Sequence, residues 1–199
     1  MNRIFIAGIV GGIVMFIWSS IAHMLLPLGE VGVQELPNQP ASFAALEANI
    51  PEAGLYMLPG FGLGPNPTSA QTHEAMKHMD ERAALYPSGF LMYFPKGARP
   101  MMMGRWLGIE FATELVESLL VVWLLSLTRL TTFGARLGFV TVAGILAAIA
   151  TNVSYWNWYG FPANYTAAYI FTQVVGFICV GIVAGLILKN QPTPPMRDR

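Results

Sequence analysis

The chain has 199 residues, of which only 11% are charged, against about 25% in an ordinary soluble domain, while 54% are hydrophobic and mean hydropathy is +0.52. Low charge with high apolar content excludes a disordered chain, and a single cysteine, Cys179, excludes a disulfide scaffold. Eleven basic and eleven acidic residues cancel, and no basic cluster marks a nucleic-acid partner.

The missing charges are missing in blocks. Residues 4–29 contain no Asp, Glu, Lys or Arg. A hydrocarbon layer of ~30 Å takes about 20 residues of helix to cross, so residues 1–26 read as a first membrane span. Ser20-Ile21-Ala22 looks like a leader-peptide cleavage site. The apolar run is longer than a leader core, however, and only Arg3 precedes it, so the expectation is an uncleaved anchor. Gly8, Gly12, Ser19 and His23 share one face of this helix.

Residues 27–102 are rich in Pro and Gly and carry seven acids against four bases. Gly54–Pro59 and Gly89–Pro95 are short apolar, aromatic runs bounded by Gly and Pro, which reads as two strands. Ser69–Leu85 reads as a helix capped by Thr68 or Ser69, and Ala41–Asn49 as a shorter one after Pro40. The expected product is a small α+β cap resting on the outer surface of the membrane helices. A two-stranded sheet is marginal alone, so this cap is expected to need support.

Residues 103–128 form a second apolar stretch, broken by Glu110, Glu114 and Glu117 but apolar from Leu119 to Leu127 except for Ser126. At 100° per residue the three acids fall within about 60° of one helix face. Ionisable groups inside a membrane are expensive and face a bundle interior or a wet cavity. The stretch therefore reads as a span with one polar side. Arg105 lies about 140° from Glu110 and is expected to reach for the headgroups.

Residues 137–188 are again free of charge and hold two spans, 137–154 and 163–188. Between them Tyr155–Pro162 reads as a turn, because it ends in Gly160-Phe161-Pro162 and its aromatics suit a membrane surface. Thr141, Ala148 and Asn152 share a face of the first; Tyr165, Tyr169, Thr172 and Gly176, with Gln173 beside them, share a face of the second. Residues 189–199 form a tail. Arg3, Arg129, Arg136, Lys189, Arg197 and Arg199 all fall on one side of this layout, which the positive-inside rule makes cytoplasmic. Both termini are then cytoplasmic and residues 27–102 extracytoplasmic.

The fold expected is thus an all-α membrane protein, a four-transmembrane-helix bundle with a small extracytoplasmic α+β cap between helices 1 and 2. Its candidate polar or ion site is Glu110, Glu114, Glu117, His23, Asn152, Tyr169 and Gln173, at matching depths on four helices. Such groups either handle a proton, cation or cofactor or simply glue helices together. His23 reads as an axial ligand or relay member, or as an interfacial histidine bonded to Ser19 or to lipid headgroups. His73, Met76, His78 and Met79 are soft ligands that copper(I) would accept, but Met also packs adaptable surfaces. His73 and His78 are five apart, not the four of the zinc-protease motif.

Met1–Glu30, Gly54-Leu-Tyr-Met-Leu-Pro-Gly60 and Asn152-Val-Ser-Tyr-Trp-Asn-Trp-Tyr-Gly-Phe-Pro162 resemble a family of small bacterial four-helix inner-membrane proteins known only as hypothetical proteins. The resemblance implies a bacterial inner-membrane location and no activity, cofactor or site.

No P-loop, GxGxxG, GxSxG, CxxC or HExxH is present, so an enzyme is not expected. The functional expectation is an accessory or structural subunit of a larger membrane complex, respiratory or photosynthetic, with the lipid bilayer and other membrane subunits as partners. The alternatives are a small transporter or proton/cation relay using the Glu stripe, and a cofactor- or metal-handling membrane protein. No particular cofactor or metal is specified by the residues.

Overall fold

A computed structural model describes residues 2–189 of the chain, so the expected tail with Arg197 and Arg199 lies outside the described residues. The chain divides into two compact units, residues 34–101 and the remainder on either side of them.

The larger unit is built from long helices. α1 is Asn2–Met24. The stretch read as the second span is a helix, Met103–Ser126, labelled α5 in chain order after the three helices of the smaller unit. α6 (Phe133–Ala148) runs through a π-helical turn at Ile149–Val153 into α7 (Ser154–Tyr159), and α8 is Ala163–Ile187. Three of these stretches are long and apolar enough to cross a membrane: 2–24, 133–159 and 163–187. At 1.5 Å per residue each is about 34 Å or more in length. α5 matches them in length and carries Arg105 and the three glutamates.

The expected turn at Tyr155–Pro162 is corrected by this path. The helix does not stop at Ser154 but continues to Tyr159, and the turn shrinks to Gly160-Phe161-Pro162. Gly160 ends the helix in the left-handed conformation (φ 72°), which glycine adopts without a Cβ penalty. The aromatics that suggested a surface loop are therefore turns of a helix. The third helix also starts earlier than residue 137, at Phe133, where the Thr132 hydroxyl accepts from the Ala135 N–H.

α1 lies between α5 and α8, and α6 packs on the far side of α8; α5 and α6 touch only lightly. Small residues allow this. A Cβ at Gly12 would come within 2.8 Å of the Leu115 Cα, and one at Gly144 within 2.4 Å of the Phe177 Cβ. Close backbone approach of this kind is how membrane helices gain packing when lipid removes the hydrophobic drive. The buried Ser118 hydroxyl donates to the Gly8 carbonyl at 2.8 Å, locking α5 to α1. Beside it, Ala7, Val121, Val122, Val180 and Ala184 form the core, joined by Val140 and Phe177.

In the smaller unit, β1 (Gly54–Leu58) and β2 (Gly89–Tyr93) pair antiparallel, with Gly54 opposite Tyr93 and Leu58 opposite Gly89. α2 is Gln39–Asn49. The single helix expected over Ser69–Leu85 is two, α3 (Ser69–Lys77) and α4 (Met79–Leu85). Thr68 and Gln71 form a reciprocal capping box at the start of α3. The break falls at His78, after which Asp80 and Glu81 occupy the first turn of α4, where acids suit a new helix N-terminus.

Because a methyl at Gly12 would meet backbone and one at Gly108 would meet nothing within 4 Å, the two sites should respond in opposite ways. Gly12→Ala should destabilise the purified protein by about 1–3 kcal/mol through overpacking. Gly108→Ala should leave it unchanged or stabilise it by up to about 1 kcal/mol. Thermal unfolding in detergent compares them, and equal behaviour would contradict the close α1–α5 contact.

Candidate acidic cavity

The polar faces converge. A cavity of about 270 Å³ opens among α1, α5, the π turn, α7 and α8, and all seven candidate residues, Glu110, Glu114, Glu117, His23, Asn152, Tyr169 and Gln173, line it. At ~30 Å³ per water it has room for several waters.

The three acids sit at graded depths on α5. Glu110 is exposed, Glu117 half-buried, and Glu114 only 5% exposed. The 3.6-residue turn aligns them, and the close α1–α5 approach brings Ser19 beside the Glu114 carboxyl. The Ser19 hydroxyl itself donates to the Phe16 carbonyl at 3.1 Å. Glu114 Oε2 is buried with no hydrogen-bond partner. Buried polar atoms are nearly always satisfied, so this unpaired oxygen stands out on a residue that lines the cavity.

The π turn supplies the amide wall. Inserting an extra residue into the helix, as π turns often do at functional sites, lets the neighbours Thr151 and Asn152 both reach the cavity. Asn152 Nδ2 donates to the Ala148 carbonyl at 3.0 Å and to Gln173 Oε1 at 3.2 Å, tying the third helix to α8.

Aromatic rings form the remaining wall. Tyr165 and Tyr169 stack with centroids 4.5 Å apart, and the His23 ring meets Tyr169 edge-on at 5.9 Å. His23 Nδ1 is 2.9 Å from the Ser19 carbonyl. The expected His23–Ser19 bond is thus made, through the backbone oxygen rather than the hydroxyl. Trp18 is fixed by its indole N–H, which donates to the Thr172 carbonyl at 2.8 Å. Met15 and Gly176 make the apolar floor.

No family model, curated protein or solved structure matches this chain.

Sequence reasoning missed Met15, Trp18, Thr113, Thr151 and Tyr155 as lining residues. Thr113 was findable, since it lies three residues after Glu110 on the same helix face. Tyr155 was hidden by reading its segment as a turn. Thr151 could not be found by α-helical spacing, because the π turn breaks that spacing. Among the described residues no Lys or Arg lines the cavity; three carboxyls and one imidazole share it.

Proposed function

We propose that the chain is an integral membrane protein of four membrane-crossing helices, α5 included, that takes a proton or small cation into this acidic cavity and relays it along the α5 carboxyls. The observation that carries the reading is Glu114: a buried residue with an unpartnered carboxyl oxygen, lining a cavity that no Lys or Arg among the described residues enters. Acids held inside a membrane protein are hallmarks of ion and proton paths. A crossing by α5 is supported by its opposite face, where Val116, Leu120 and Trp123 are each 53% exposed. Lipid covers such a stripe at no cost, whereas water does not. Arg3, Arg129, Arg136 and Lys189 favour the cytoplasmic side for the helix ends away from His23 and Glu110. The cavity then faces the outer leaflet, and the family resemblance supports a bacterial inner membrane.

A second reading, the accessory subunit, draws on residues 34–101. Among the described residues of that unit only Pro59 is buried. The cross-strand pair Leu55 and Met92 stands 58% and 63% exposed. A sheet of two strands needs such a face covered, and another membrane subunit would do it.

Reconstitution into liposomes tests the first reading. Wild type should carry proton or Na⁺ flux above empty vesicles, and Glu114→Gln should lower it at least tenfold while Glu110→Gln, at the exposed end, lowers it less. Flux unchanged by Glu114→Gln, or absent in wild type, contradicts the relay. For the second reading, crosslinking in native membranes should link residues 34–101 to another subunit; a lone monomer with no crosslinked partner argues against it.

A further inference from the structure

We infer that the cation admitted by the cavity is organic: a small ammonium bearing carbon substituents, held by the α5 carboxyls and packed against aromatic rings. The inference rests on reading the cavity as a cation site and narrows what it binds.

Size and ligand geometry come first. A metal ion requires several oxygen ligands closing on one point at ~2.0–2.6 Å. Among the described residues no three His, Cys, Asp or Glu side chains converge to hold a metal ion, although three glutamates line this one space. Their charge is spread along a wall rather than focused on a centre. The cavity of about 270 Å³ holds roughly nine waters at ~30 Å³ each. An organic cation of similar heavy-atom count fills it, whereas a bare ion leaves most of it to solvent.

The lining supplies the second argument. Trp18, Tyr155, Tyr165 and Tyr169 face the same space as Glu110, Glu114 and Glu117. Aromatic rings attract ammonium groups through the ring quadrupole and offer apolar surface to their carbon substituents. The rings are also held before any ligand arrives. Trp18 is tied by its N–H to the Thr172 carbonyl, Tyr169 is stacked on Tyr165, and His23 meets Tyr169 at its other contact. A preformed wall lowers the ordering cost of binding.

Charge supplies the third. Among the described residues no Lys or Arg in the lining can neutralise the acids. A neutral molecule of the same shape can offer a hydrogen bond but no charge to ionised carboxyls, whereas an ammonium brings the charge together with polarised N–H or C–H groups.

The test is calorimetric titration of the purified full-length protein in detergent with choline and tetramethylammonium, at constant ionic strength. The uncharged carbon analogue of choline, 3,3-dimethylbutan-1-ol, and Na⁺ serve as competitors. Saturable choline binding is expected, displaced by neither competitor at equal concentration. Glu114→Gln should weaken it at least tenfold. Tyr169→Leu should weaken it about fivefold or more, while Tyr169→Phe, which keeps the ring, should weaken it less. Circular dichroism of each variant checks folding, and the wild-type competition stands without any variant. Absence of saturable ammonium binding, or equal binding of the neutral alcohol, overturns the organic-cation inference; Glu114-dependent proton or Na⁺ flux in the same preparation leaves the broader relay reading standing. Choline binding that Glu114→Gln does not change removes the carboxyl from the site and overturns the organic-cation inference as stated; the relay reading falls only if flux is also independent of Glu114.

Discussion

An ionised carboxylate taken out of water loses solvation worth several kcal/mol even after the surrounding protein relaxes, and Glu114 has one oxygen with no hydrogen-bond partner among the described residues. Much of the larger unit can be understood as the means of tolerating that group. Four residues further along α5, Ser118 spends its hydroxyl on the Gly8 carbonyl, which clamps the helix against α1. Gly8 and Gly12 let α1 approach closely enough to bring Ser19 alongside. The π turn and α8 then complete a polar enclosure with Asn152 and Gln173. Each feature would be unremarkable by itself, but all of them converge on one face of α5.

The polar space is one-sided. It ends at Met15 and Gly176, beyond which Val122, Val140 and Val180 are fully buried. A Cβ at Gly176 would touch the Met15 side chain at 3.2 Å, so the floor is a methionine lying over a glycine. Methionine is the most adaptable of apolar side chains. A cation or proton that entered among the rings and passed along the α5 carboxyls would meet this floor, and onward passage would need it to move.

Much of this was legible in the sequence, for reasons that differ by residue. The i, i+4, i+7 spacing of Glu110, Glu114 and Glu117 works because helical periodicity is local and robust, and the same periodicity selected Asn152, Tyr169 and Gln173 on their own helices. The two strands of the smaller unit were marked by flanking Gly and Pro. What local pattern could not reveal was where a rule is broken. The Tyr155–Tyr159 segment looked like a surface turn because its aromatics suit an interface, yet aromatics fit a helix equally well. The break at His78 was masked by continuous helix-forming residues on both sides. The π turn has no composition signature, and with it Thr151 was lost. Trp18 was missed because its role depends on a partner, Thr172, 154 positions away.

The central claim is that Glu114 is a free carboxyl facing a water-accessible cavity within the membrane-embedded helices. Carboxyl footprinting in native membranes, using a water-soluble carbodiimide with an amine nucleophile and mass-spectrometric site mapping, tests it most directly. Glu114 should be modified along with Glu110 and should be protected when choline is present. Modification of Glu110 alone, with Glu114 unreactive under every condition, would show a dry, purely structural acid and contradict the account.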